Sequence, residues 1–205
     1  MIARQLVFSI AASGFLSAAE TWLDQFEVKD ITSGFSSTRA NQSNSEKPLT
    51  VAGTVYQRGV GTHAASSATF GTDGKSPLRF KAKVGADDGP DGAGSVVFQI
   101  YGDDQKLFDS GILRKGDPAK DVDVDLSGKK LIELRVTDAG DGMNCDHADW
   151  CEARFIHEGE APRLVPRWVV VLPHYQGAFP SAPVKVTAFT SPNGKVAARV
   201  GVSEG

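Results

Sequence analysis

An alternation of apolar and polar residues with a period of two limits most strongly how this chain can fold. Leu78, Phe80, Ala82 and Val84 alternate with Arg79, Lys81 and Lys83, and Val96, Phe98 and Ile100 repeat the pattern before Asp103-Asp104. Val122, Val124 and Leu126 alternate with Asp121, Asp123 and Asp125, and Ile132, Leu134 and Val136 follow the Ser127-Gly128 turn. Successive side chains of an extended segment leave opposite faces, so each stretch reads as a strand with one buried side. Short strands at short spacing, punctuated by Gly and Asp, predict an all-β fold of the antiparallel sandwich type. The aspartates at 121, 123 and 125 then belong to a solvated face.

The flanks differ. Arg4, an apolar stretch over residues 6–16 and the small residues Ser17-Ala18-Ala19 follow the order of a signal peptide, with Glu20 as the first mature residue. A secreted or periplasmic protein is the expectation, and a buried N-terminal helix is the alternative. Residues 32–47 are rich in Ser, Asn and Gly and read as a long loop. Past His157 come Pro162, Pro166 and a short apolar run at 168–172; segments 184–189 and 195–200 flank Ser191-Pro192-Asn193-Gly194 as a β-hairpin. Residues 158–205 are too few to fold well alone, so they either dock on the sandwich of residues 20–157 or begin a further domain. The chain has 205 residues, 40% of them hydrophobic, and a formal charge of −3. That suits one β domain with an appendage and argues against nucleic-acid or anionic-membrane partners, which need a basic surface.

Three clusters sit at strand ends. In Tyr56-Gln57-Arg58-Gly59-Val60-Gly61-Thr62-His63-Ala64 the glycines allow a tight backbone, and His63 offers a donor and an acceptor, though a single His beside glycines more often serves structure. In Val84-Gly85-Ala86-Asp87-Asp88-Gly89-Pro90-Asp91-Gly92 adjacent acids form a turn or address a ligand, and their spacing is not that of an EF-hand. The third, from Asp138 to Trp150, includes Asp146, His147, Asp149 and Trp150: an aromatic face for a sugar ring with polar groups for its hydroxyls, or else a core Trp beside an acidic turn. In an exported protein Cys145 and Cys151 are expected to form a disulfide that pins this loop, the alternative being two thiols. With one nearby His they fall short of a zinc site.

Taken in order, Gly59-Val60-Gly61-Thr62-His63-Ala64, Val84-Gly85-Ala86-Asp87-Asp88, Leu107-Phe108-Asp109-Ser110-Gly111, Val136-Thr137-Asp138 and Asp146-His147-Ala148-Asp149-Trp150 resemble the NPCBM family, also called carbohydrate-binding module family 51. The resemblance spans about residues 22–156. It implies a jelly-roll-like, galactose-binding-domain-like sandwich that binds terminal sugars, galactose-containing ones among them, and serves glycoside hydrolases. His63, Asp87, Asp88, Asp146, His147, Asp149 and Trp150 are then the expected sugar-binding residues. It also implies a structural calcium, with Glu152 and Asp24 as ligands of the hard-oxygen kind that calcium takes. The Cys pair and the loosely matching segment 28–47 depart from the family pattern, so the preferred sugar does not carry over.

Two other readings compete. A sandwich that has lost its sugar site and serves structure or protein interaction would bury His63 and Trp150 with no adjoining cleft. A glycoside hydrolase would need two carboxyl groups about 5–10 Å apart across a cleft, with Asp88 and Asp149 as the available pair. The leading expectation is a non-catalytic module.

Overall fold

The computed structural model describes residues 18–89 and 92–166, together with the backbone of residues 185–190 and 196–201. Residues 1–17 of the segment 1–19 that reads as a signal peptide, and the apolar run at 168–172, lie outside the described residues. Strands follow in the order β1 (Ala19–Trp22), β2 (Arg39–Ala40), β3 (Leu49–Val51), β4 (Thr54–Tyr56), β5 (Gly59–His63), β6 (Ser66–Gly71), β7 (Leu78–Ala86) and β8 (Ser95–Gly102). After these come β9 (Gln105–Asp109), β10 (Leu113–Arg114), β11 (Lys120–Asp125), β12 (Leu131–Thr137), β13 (His147–His157) and β14 (Arg163–Leu164). Short 3-10 turns occupy Leu23–Gln25 and Val28–Asp30. Among the described residues no helix is long and apolar enough to cross a membrane.

Two six-stranded antiparallel sheets make the sandwich. One runs β11-β7-β13-β5-β2, with β1 sharing the β5 edge of β13; the other runs β10-β8-β12-β6-β14, with β9 beside β8. The alternating residues predicted to face inward do so: Phe80, Val84, Phe98, Ile100, Val122, Ile132 and Leu134 share one core. Phe70 and Phe80 each meet Phe155 at 4.9 Å in inclined geometry, worth about 0.5–1.5 kcal/mol per pair beyond area burial. The outward aspartates are solvated and paired, Asp121 with Lys83 and Asp123 with Arg79. Asp103 and Asp104 have φ of 48° and 67°, as a two-residue hairpin between β8 and β9 requires.

One boundary moves. The sandwich continues past 157, because Arg163–Leu164 pairs with Gly71 and Phe70 of β6, and the compact unit closes at Arg167. The second unit, Trp168–Gly205, holds the expected hairpin, β15 (Lys185–Thr190) antiparallel to β16 (Val196–Gly201).

Strand β13 carries most of the organisation. It pairs with β7 on one side and with β5 and then β1 on the other. A one-residue bulge between Cys151 and Arg154, with Glu152 at φ 48°, switches its parity: Ala148 and Trp150 face the core before it, Ala153 and Phe155 after it. His147, Asp149 and Cys151 therefore leave the opposite face. That face is not open to solvent, since Leu49 and Val51 of the β3–β4 hairpin pack on Cys151 in a second apolar cluster.

The hairpin and the loop before it can lie this close only because glycines line the sheet beneath. A Cβ on Gly61 would overlap Gln42 O and Ser43, and one on Gly85 would overlap the Val51 side chain. Gly61→Ala is expected to lower stability by about 1–3 kcal/mol, the usual cost of overpacking, measured by urea unfolding. Gly71, where a Cβ meets nothing nearer than Val165 Cγ2 at 3.9 Å, is the control; its Ala variant should stay within about 0.5 kcal/mol of wild type.

Candidate functional site

The covered face of β13 ends in a row of three functional groups. His63 of β5 stands opposite His147 in the ladder, and the Asp87 amide donates to the His147 carbonyl at 3.0 Å. The two imidazoles meet edge to face, 5.0 Å between centroids. His63 is buried and donates Nδ1–H to the Ala64 carbonyl at 2.7 Å, which fixes the orientation of its ring. His147 has its Nδ1 3.0 Å from Ser45 Oγ. Burial holds the His147 pKa below the ordinary histidine value, the neighbouring His63 lowers it further, and Asp87 opposes both. The ring is thus neutral at pH 7.

Beside this pair opens a groove of about 500 Å³, lined by Gly34, Phe35, His63, Met143, Asn144, Cys145 and His147. Phe35 is 64% exposed, and its ring lies 5.5 Å from that of His63. An exposed aromatic face beside two imidazole edges can cover the apolar side of a pyranose and bond its hydroxyls.

The expected residues divide into several groups. His63 and His147 line the groove. Asp87 accepts the Thr50 amide at 3.2 Å and the Gly89 amide at 2.9 Å, while Asp88 accepts the Gly53 amide at 2.7 Å. These two aspartates fasten the segment over the sheet. Asp146 accepts the Ser95 amide at 2.9 Å, and burial raises its pKa. Asp149 is fully buried and cannot touch a sugar.

Trp150 corrects the sequence reading. It is 4% exposed and packs against Phe98 at 4.9 Å and Phe80 at 5.9 Å, so it is core and not a sugar platform. Its parity on β13 turns it inward, away from the groove. The disulfide also needs correction: Cys145 and Cys151 are not joined. The extended stretch 147–151 spans about 13 Å of the chain between them, and a bridge needs Cα atoms about 4.4–6.8 Å apart.

At the expected calcium ligands, Asp24 takes both Arg58 Nε (3.2 Å) and Nη2 (2.9 Å), and the Glu152 amide donates to the Arg58 carbonyl at 2.9 Å. Among the described residues no group of three or more His, Cys, Asp or Glu is arranged to hold a metal. As arranged, Asp24 serves a guanidinium, which an ion would have to displace.

Sequence reasoning missed Phe35, Ser45, Met143 and Asn144. Phe35 carried a signal: a lone aromatic within a Ser- and Gly-rich loop has no strand periodicity to account for it.

The model of the NPCBM/NEW2 domain matches residues 19–156. Alpha-1,3-galactosidase B of Akkermansia muciniphila is 34% identical over 117 residues, 56% of this chain and 15% of that protein, and the chain spans 9% of a second curated relative. Among solved structures, the CBM51 of Clostridium perfringens GH95 in complex with methyl-galactose superposes with a TM-score of 0.61 at 28% identity, covering 67% of this chain and 99% of that one. The CBM51-2 and INT domains of Clostridium perfringens ZmpB, with GlcNAc bound, give 0.59 at 29%, covering 71% and 32%. With the matched model covering more than half its length, the chain belongs to the NPCBM/NEW2 domain family and has the fold of a carbohydrate-binding module.

Proposed function

We propose that this protein is a non-catalytic carbohydrate-binding module that captures a terminal sugar of the galactose type in the Phe35–His63–His147 groove and so directs a partner glycoside hydrolase to glycans. One observation carries the reading: an aromatic face left exposed in a polar loop, directly beside two ring edges whose nitrogens are oriented by Ala64 O and Ser45 Oγ. The methyl-galactose bound by the GH95 module and the galactosidase name of a relative support the choice of sugar. The mechanism is positional. The sugar's apolar side covers Phe35, the imidazole nitrogens that face the groove bond its hydroxyls, and a small contact area keeps single-site affinity on the order of 10⁻⁵ to 10⁻³ M. Tethering to a catalytic domain turns such an affinity into useful retention.

The acid pair considered for hydrolysis, Asp88 and Asp149, does not face a common cleft among the described residues. Asp149 is sealed and Asp88 is spent on the Gly53 amide. Export through the N-terminal segment is part of the proposal and rests on its signal-peptide order. Calcium at Asp24 and Glu152 is proposed on the resemblance alone. Its test is a rise in melting temperature with millimolar calcium that Asp24→Asn abolishes.

Phe35→Ala is expected to weaken methyl-galactoside binding about tenfold, or ~1.4 kcal/mol, in isothermal titration, with an unchanged circular dichroism spectrum because the side chain is exposed. Equal affinity in the variant would remove the platform from the mechanism. His147 sets an acid limit. The unfolded ring takes a proton more readily than the folded one, so the contribution of His147 to stability is level above about pH 6.5 and falls as pH drops below it. Thermal melts from pH 5 to 8 should show the wild type losing stability relative to His147→Gln as pH drops below about 6.5.

A further inference from the structure

Asp149 is fully buried, and neither of its carboxyl oxygens has a hydrogen-bond partner. The ladder sets it between Gly61 and Gly85, where Ser43 and Val51 close over the sheet. The Asp87 carboxyl and the Thr50 amide face it. Asp87 already accepts two backbone amides, Thr50 and Gly89, an arrangement that suits an anion. Among the described residues no cation is in place to neutralise a second charge. Lys47 is bonded to Gly89 O, Lys83 to Asp121 and Arg39 to Glu46.

The other titratable groups around it are Asp88, bonded to Gly53, the neutral His147 with His63 behind it, the Cys151 thiol, and Tyr56 on the hairpin. None of them supplies a positive charge to Asp149: His147 is neutral at pH 7, and His63 stands one row away on β5. Two bare carboxylates cannot bond one another, whereas a single shared proton turns their repulsion into a strong hydrogen bond.

We propose that Asp149 keeps its proton in the folded protein and donates it to Asp87, and that this one-proton carboxyl pair pins the segment 43–53 to the sheet. That segment carries Ser45, which orients His147 at the groove. Asp149 is therefore a positioning residue, acting through Asp87 and the roof. Burial first, and the charge of Asp87 second, hold its carboxyl well above the usual range. The pair itself is independent of what the groove binds; only its effect on the groove rests on the sugar reading.

The linkage has a definite sign. The folded state holds the proton more tightly than the unfolded one, so the contribution is complete below the unfolded value of about 3.9 and is lost as pH rises from there to the folded value. Over that window the unfolding constant rises roughly tenfold per pH unit relative to a variant without the titration.

The test compares melting temperatures of the full chain and of Asp149→Asn from pH 4 to 8, with methyl-galactoside affinity of the wild type measured alongside. The carboxamide introduced by this substitution can donate to Asp87 without titrating, so the two profiles should diverge as pH rises, the variant becoming relatively more stable. Parallel profiles would overturn the proposal. Should Asp149→Asn not fold, carbon-13 carboxyl NMR of the wild type decides: Asp149 protonated at pH 7 supports the pair, and ionised at pH 7 overturns it. Divergent profiles in a protein that binds no galactoside would leave the pair standing and remove the sugar reading instead.

Discussion

Everything distinctive about this sandwich depends on how closely the segment 41–53 approaches the outer face of β13. An antiparallel sheet normally leaves such a face wet. Here Gly61 and Gly85 remove the side chains that would hold the loop away, and Leu49, Val51 and Cys151 close the gap with apolar contact. The closure converts a solvated strand face into a second interior. Carboxylates and imidazoles that would otherwise point into water are fixed by backbone amides and by one another. A binding groove at the rim of that interior inherits its rigidity, and a weak, small-area ligand benefits from donors that need no ordering on contact.

The opposite end of the same strand is fastened differently. Trp22 lies between the guanidinium groups of Arg58 and Arg154, at 4.3 and 4.9 Å, while Asp24 and Glu20 hold those arginines from outside. Exposed ion pairs contribute little singly, but two arginines that meet one indole, each with its own carboxylate, make this a network. It joins β1 to the β5 edge across the place where the bulge at Glu152 interrupts the ladder.

Period-two reading recovers β7, β8, β11 and β12 because each has one core face and one wet face, the situation in which alternation is informative. It fails on β13 for two physical reasons. Both faces of residues 148–151 are buried, so polarity no longer reports direction, and the bulge shifts the apolar positions from 148 and 150 to 153 and 155. Trp150 is accordingly misplaced on the surface. Asp87 and Asp149 are legible as a polar concentration, but their burial arises from a hairpin about a hundred residues away from β13 in sequence, which no local pattern encodes. The ordered motifs locate the right end of the sandwich, and the loop that departs from the family pattern supplies its exposed aromatic.

The partners of β13 carry a consequence for how the domain comes into being. Residues 19–22, 59–63 and 78–86 all find their ladder neighbours between His147 and His157. The hub of this sheet is thus its last long strand to be synthesised, and the earliest segments must wait for it with unpaired edges. Such non-local pairing slows folding and exposes sticky intermediates. A chain that emerges N-terminus first, whether from a ribosome or through a membrane pore, cannot complete this sheet piecemeal; it closes only once nearly the whole module is out.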